Sequence, residues 1–160
     1  TAKDQFDRPT VLDLVKIKEK VLPVGRLDMY TSGALLLTND GEFINRVTHP
    51  KNEIEKTYTV TVKGIVNQED VKRLEEGVEI EDYVSGKAKV KILKEKNFSR
   101  VQITIHEGKN REVRKMCEAI GKKVLALHRR KIGNLDVKNI EIGHWRYLTA
   151  KEIENFSIDK

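Results

Sequence analysis

Gly25-Arg26-Leu27-Asp28-Met29-Tyr30-Thr31-Ser32-Gly33-Ala34-Leu35-Leu36-Leu37-Thr38-Asn39-Asp40-Gly41 joins two apolar runs through a short loop carrying a carboxylate, two hydroxyls and a glycine. The first run, Val21 to Leu27, predicts a strand, and Ala34 to Thr38 predicts a second. Asp28 then stands where a strand delivers a side chain into a loop, the usual place for a reacting group. Asp40 follows as the cap of a short helix through Phe43, Ile44 and Val47.

Outward from this stretch the pattern alternates between periods of two and of about four. Upstream, Thr10 is placed to cap a helix with Val11, Leu12, Leu14, Val15 and Ile17 at helical spacing, after a polar loop from Thr1 to Pro9. Downstream, Ile54 to Val62 sets Ile54, Tyr58, Val60 and Val62 on one face and Glu55, Thr57, Thr59 and Thr61 on the other, a half-buried strand. Asn67 opens a surface helix that packs through Val71 and Leu74 and ends at Gly77. Lys87 to Leu93 and Arg100 to His106 alternate as a hairpin pair, with Val101, Ile103 and Ile105 inward. Asn110 is placed to cap the clearest helix, whose stripe is Val113, Met116, Cys117 and Ile120, with Gly121 as its stop. Val124 to Ile132 and Trp145 to Leu148 predict two more strands, and Thr149 with Glu152 forms a capping box for a final helix. Strands outnumber helices and many are hairpin-connected. The fold class expected is α+β, a mixed and largely antiparallel sheet flanked by helices, in a single domain over residues 1–160.

Length and composition narrow the function. A chain of 160 residues buries about two thirds of its unfolded surface. No apolar stretch approaches the ~18 to 20 residues of a membrane span and the first residues have no signal-peptide shape, so a cytoplasmic protein is expected. Cys117 is the one cysteine and the four histidines are scattered, which predicts neither a disulfide nor a metal site. The net charge of +6 is concentrated: residues 109–131 hold nine basic and two acidic side chains, a net +7, which leaves −1 for everything else. A local basic patch on a near-neutral body is the footprint of a phosphate-backbone partner.

The Gly25 to Gly41 stretch resembles the signature motif of the pseudouridine synthases, which isomerise uridine in RNA, and its continuation resembles the branch containing the RsuA and RluB ribosomal RNA enzymes. The resemblance implies that Asp28 is catalytic, either attacking ribose C1′ or taking a proton from C2′, with no cofactor. Lys56-Thr57-Tyr58 resembles the family's second motif, which implies that Tyr58 stacks on the flipped uracil. Glu107 to Met116 resembles the third, which assigns Arg114 as the cation paired with the catalytic aspartate. Arg114 also falls at the edge of the buried helix face, where a long side chain reaches inward. By the same resemblance Arg26 fills the gap left by the flipped base, Leu127 lines the pocket, and Arg129 contacts RNA. Thr31, Lys56, Lys109, Asn110 and Arg111 complete the RNA-binding set, and Ile103 or Ile105 could pack beneath the uracil.

An ionised carboxylate in a desolvating pocket needs a fixed cation, which lowers an aspartate pKa by ~1 to 3 units. Two carboxylates would suggest a glycoside hydrolase instead, but the motif supplies one. A catalytically silent RNA-binding module is the remaining rival. The expected partner is ribosomal RNA, with no membrane and no metal, and the protein is expected to act as a monomer. In the family a strand, and often an S4-type RNA-binding domain, precedes this region; residues 1–160 are expected to be the catalytic domain without either.

Overall fold

The structure, a computed structural model, describes residues 15, 18–25, 27, 30–52, 54–106 and 111–156. The helix expected from Thr10 to Ile17 lies outside these residues apart from Val15. Strand β1 (Leu22–Val24), β2 (Thr31–Gly33) and β3 (Leu36–Thr38) come first, then helix α1 (Gly41–Thr48) and a 3-10 turn at Pro50–Asn52. Asp40 caps α1 as expected, its carboxylate accepting from the amides of Glu42 and Phe43. β4 (Lys56–Lys63) and α2 (Gln68–Glu76) follow, then a two-rung hairpin of β5 (Glu79–Ile80) and β6 (Tyr83–Val84). β7 (Lys89–Glu95), β8 (Phe98–Ile105), α3 (Glu112–Ala119), β9 (Val124–Ile132), β10 (Leu135–Asp136) and α4 (Ala150–Glu154) complete the order.

The main sheet runs β10-β9-β4-β8-β7, and β2 adds to β9 in parallel. β4 is antiparallel to both its neighbours, so β8 and β9 run the same way, and α3 is the crossover between them. That route carries α3 across one sheet face from the end where β8 stops to the end where β9 starts. Val60, Val62, Val101, Ile103 and Ile105 point to this face and meet Val71 and Leu74 of α2 and Val113, Met116 and Cys117 of α3. A second, smaller core joins Val24, Ala34, Phe43 and Val47 to Ile132 and Phe156. Phe43 and Phe156 meet edge-on with centroids 5.6 Å apart.

The mixed, mostly antiparallel α+β architecture is the one expected, with three local corrections. Residues 145–148 form no strand: β10 already occupies that edge of β9, and Trp145 and Tyr147 pack edge-on against each other at the surface. The hairpin of β5 and β6 and the short β2 and β10 were not expected, since two- or three-residue ladders leave no periodicity to read. Helix α3 begins at Glu112 with Arg111 as its N-cap residue, without a side-chain cap. The cap expected of Asn110 is thus displaced to Arg111, whose backbone takes φ +54; a left-handed entry of this kind brings in the chain at an angle that a regular first turn does not allow.

Candidate active site

Four expected site residues, Arg26, Asp28, Lys109 and Asn110, lie outside the described residues. The others are Thr31, Lys56, Tyr58, Arg111, Arg114, Leu127 and Arg129. Tyr58 sits on the helix-covered face of β4, half-buried and packed on the main core. Its register partners are Ile103 on β8 and Arg129 on β9. One step along, Thr31, Leu127 and Val60 form the adjacent row. Thr31, three residues after Asp28 in sequence, is thereby brought within two strands of Tyr58. Leu127 is buried in the core, as is Ile103.

Arg129 is 5% exposed. Its Nε donates to the Ala34 carbonyl at 2.9 Å, and its own carbonyl accepts from the Ala34 amide at 2.7 Å. The guanidinium therefore clamps the chain at Ala34, six residues after Asp28, onto β9. Gly33 makes this clamp fit: at φ +118, a Cβ there would overlap the Arg129 carbonyl oxygen and lie 2.6 Å from its nitrogen. Neighbouring Ser32 and His128 share a 2.7 Å hydrogen bond on the opposite face. Burial, then the charge of Arg130, lowers the His128 pKa, so that imidazole is neutral at pH 7.

At the end of the sheet where α3 begins, charges gather in little water. Burial lowers the pKa of Lys56, the Arg129 charge lowers it further, and Glu112 opposes both. Glu112 is 3% exposed. Arg114, two residues along α3, is half-buried, and its Nε is shielded from solvent with no hydrogen-bond acceptor among the described residues. A guanidinium held this way can fix an anion brought to it, since a buried donor left unsatisfied costs about 1 to 3 kcal/mol or more when charged. Arg111 is exposed at the helix entry. Cys117 is buried, and that burial, with Glu118 adding and Arg114 subtracting, pushes its thiol up to about 12; it is an inert core thiol.

Sequence reasoning passed over Glu112 and Gly33. The first was readable: residues 112, 116 and 120 are spaced i, i+4, i+8, which puts Glu112 on the buried stripe of Met116 and Ile120. The second was not, because the approach of β9 to β2 is set by parallel pairing across 96 residues of chain. A surface cavity of about 340 Å³ between the residues that precede β4, the β9–β10 turn and α4 is lined by Ile54, Gly133 and Phe156 and none of the expected site residues. Among the described residues, no cluster of three His, Cys, Asp or Glu side chains is placed to hold a metal, and no helix is long and apolar enough to cross a membrane.

The mixed, mostly antiparallel sheet crossed by α3 is the architecture of a known pseudouridine synthase. A solved structure described as a pseudouridylate synthase superposes with a TM-score of 0.86 at 37% identity, covering 93% of this chain and 66% of that one. The model of the RNA pseudouridylate synthase family matches residues 2–119, and the chain belongs to that family. It is 46% identical over 157 residues to ribosomal large subunit pseudouridine synthase B of Bacillus subtilis (strain 168), covering 96% of this chain and 64% of that protein. It is 38% identical over 147 residues to the dual-specificity RNA pseudouridine synthase RluF of Escherichia coli (strain K12), covering 92% of this chain and 50% of that protein. The chain thus spans between half and two thirds of the length of these curated relatives.

Proposed function

We propose that the protein isomerises a uridine in ribosomal RNA to pseudouridine, without a cofactor. Asp28 acts on the ribose of a uridine flipped out of its helix, a step that costs a few kcal/mol of unstacking and needs a pocket to receive the base. Tyr58 stacks on that base, and Arg114 holds the Asp28 carboxylate ionised. Arg26 occupies the vacated position, while Lys56 and the Lys109 to Lys131 segment draw in phosphate. Leu127 lines the pocket from beneath. Arg129 contributes by clamping the strand that leaves the Asp28 loop, and its place in the RNA-binding set is indirect on this reading.

The observation that carries the proposal is the Nε of Arg114, shielded from solvent and without an acceptor among the described residues, on helix α3, which packs on the sheet face that carries Tyr58, in a chain of this family. Ribosomal RNA is the substrate class because the relatives most similar to the chain include a protein named for the large subunit. The test is to incubate the protein with ribosomal RNA transcribed without modifications and to map carbodiimide-dependent stops in primer extension. A new stop at one uridine is expected. RNA that is bound tightly but acquires no stop would favour a silent RNA-binding module.

A further inference from the structure

The sheet face opposite α2 and α3 is polar; Thr57 and Thr104 on it are buried and share a 3.0 Å hydroxyl hydrogen bond, and of the rest only Lys131 has a part in the proposed reaction. Register fixes its rows: Lys91, Gln102, Thr59 and His128 lie side by side, flanked by Lys89, Thr104, Thr57 and Lys131, and by Lys94, Arg100, Thr61 and Ala126. Lys89, Lys91, Lys94 and Arg100 are exposed. The carboxylates at its margin are already engaged: Glu55 lies 3.4 Å from Lys89 and Asp136 2.6 Å from Arg130. Lysines on the edge strand β7 alone would be explained as protection against strand addition. Arg100 and Lys131 stand on β8 and β9, inside the sheet, where edge protection does not apply.

Alternate residues on a strand are about 6.6 Å apart and three strand spacings make about 14 Å, so these cations can meet several phosphates at once. The rings on the face are occupied, His128 with Ser32 and Phe98 under the Lys94 ammonium, so it offers no platform for stacked bases. Hydroxyls, an amide and cations suit the phosphates and 2′-hydroxyls of an RNA helix, recognised by shape.

We infer that this open face binds the phosphate backbone of a helical arm of the substrate RNA, one that flanks the target uridine and passes around edge strand β7. The inference rests on the pseudouridine synthase reading. The test compares the native protein with Lys91→Glu/Arg100→Glu, both on the sheet face opposite Tyr58, on two RNAs: a minimal hairpin holding the target uridine and the same hairpin extended by its flanking helix. Circular dichroism and melting confirm folding. On the extended RNA the variant should bind about 10- to 50-fold more weakly at 0.1 M salt, with the salt slope reduced by about 1 to 2. On the minimal hairpin, affinity and turnover should match native. Equal affinity and slope on the extended RNA overturn the inference, as does an equal loss on both RNAs. Absence of turnover by the native protein on either RNA instead counts against the pseudouridine synthase reading itself.

Discussion

Replacing Gly33 by alanine should disconnect the strand that carries the chain away from Asp28. The new Cβ would collide with the backbone of Arg129, in a sheet where neither partner can retreat, and φ +118 is itself strained for any residue with a side chain. That strain is worth about 1 to 3 kcal/mol. If β2 moves off to relieve it, the Ala34 amide loses its 2.7 Å bond to Arg129 and the Arg129 guanidinium its 2.9 Å bond to Ala34. Those two are worth roughly 2 to 4 kcal/mol, since one donor is charged and stays buried. Since moving β2 relieves the strain, the two costs are alternatives, and the loss, roughly 1 to 4 kcal/mol, is a sizeable part of a typical domain's ~5 to 15 kcal/mol. Melting should fall on the order of 10 °C, and exchange at the Ala34 amide should rise even where the main core still holds. Turnover should fall with it. A Gly33→Ala protein with native melting and a protected Ala34 amide would refute the clamp.

Arg114→Met keeps the aliphatic bulk and removes the charge. Because the half-buried side chain keeps its packing, the fold should lose at most about 1 to 3 kcal/mol while turnover falls at least 100-fold; equal losses of folding and turnover would make Arg114 structural. The Cys117 thiol, held near 12 by burial, stays protonated at pH 8 and should react with a thiol reagent only when the protein unfolds. Rapid labelling of the native protein would contradict its place on the buried face of α3. At the C-terminal helix, Arg146 and the Thr149 amide hold Glu152 at about 2, well below an ordinary glutamate. A group lowered in the folded state stabilises above its unfolded pKa and loses that contribution as pH falls toward the folded one. Protection of α4 amides should therefore decline between about pH 4.5 and 2, and Glu152→Gln, which lacks the titrating carboxylate, should show lower protection at pH 7 and no such decline.

Much of this architecture was legible because its signals are local. The alternation of Val101, Ile103 and Ile105 and the stripe Val113, Met116, Cys117 and Ile120 each mark one buried face, and all seven are buried. The capping box at Thr149 forms as its spacing requires, and Asn67 opens its helix as expected, there within a capping box with Asp70. What was hidden depends on partners distant in sequence. β2 exists only because β9 lies alongside it, Trp145 to Leu148 alternates but finds no free edge, and Arg129 reads as a surface cation until its pairing with Ala34 buries it. The polar side of β4 reads simply as a wet face, and only the register shows that Arg100 and Lys91 extend it into one surface.

The central claim turns on Asp28, and release of tritium from RNA labelled at uracil C5 tests it most directly. Native protein on unmodified ribosomal RNA should release tritium in proportion to the pseudouridine formed, while Asp28→Asn, equally folded and binding RNA as tightly, should release none above background. Release by the Asp28→Asn protein at the native rate would contradict the account.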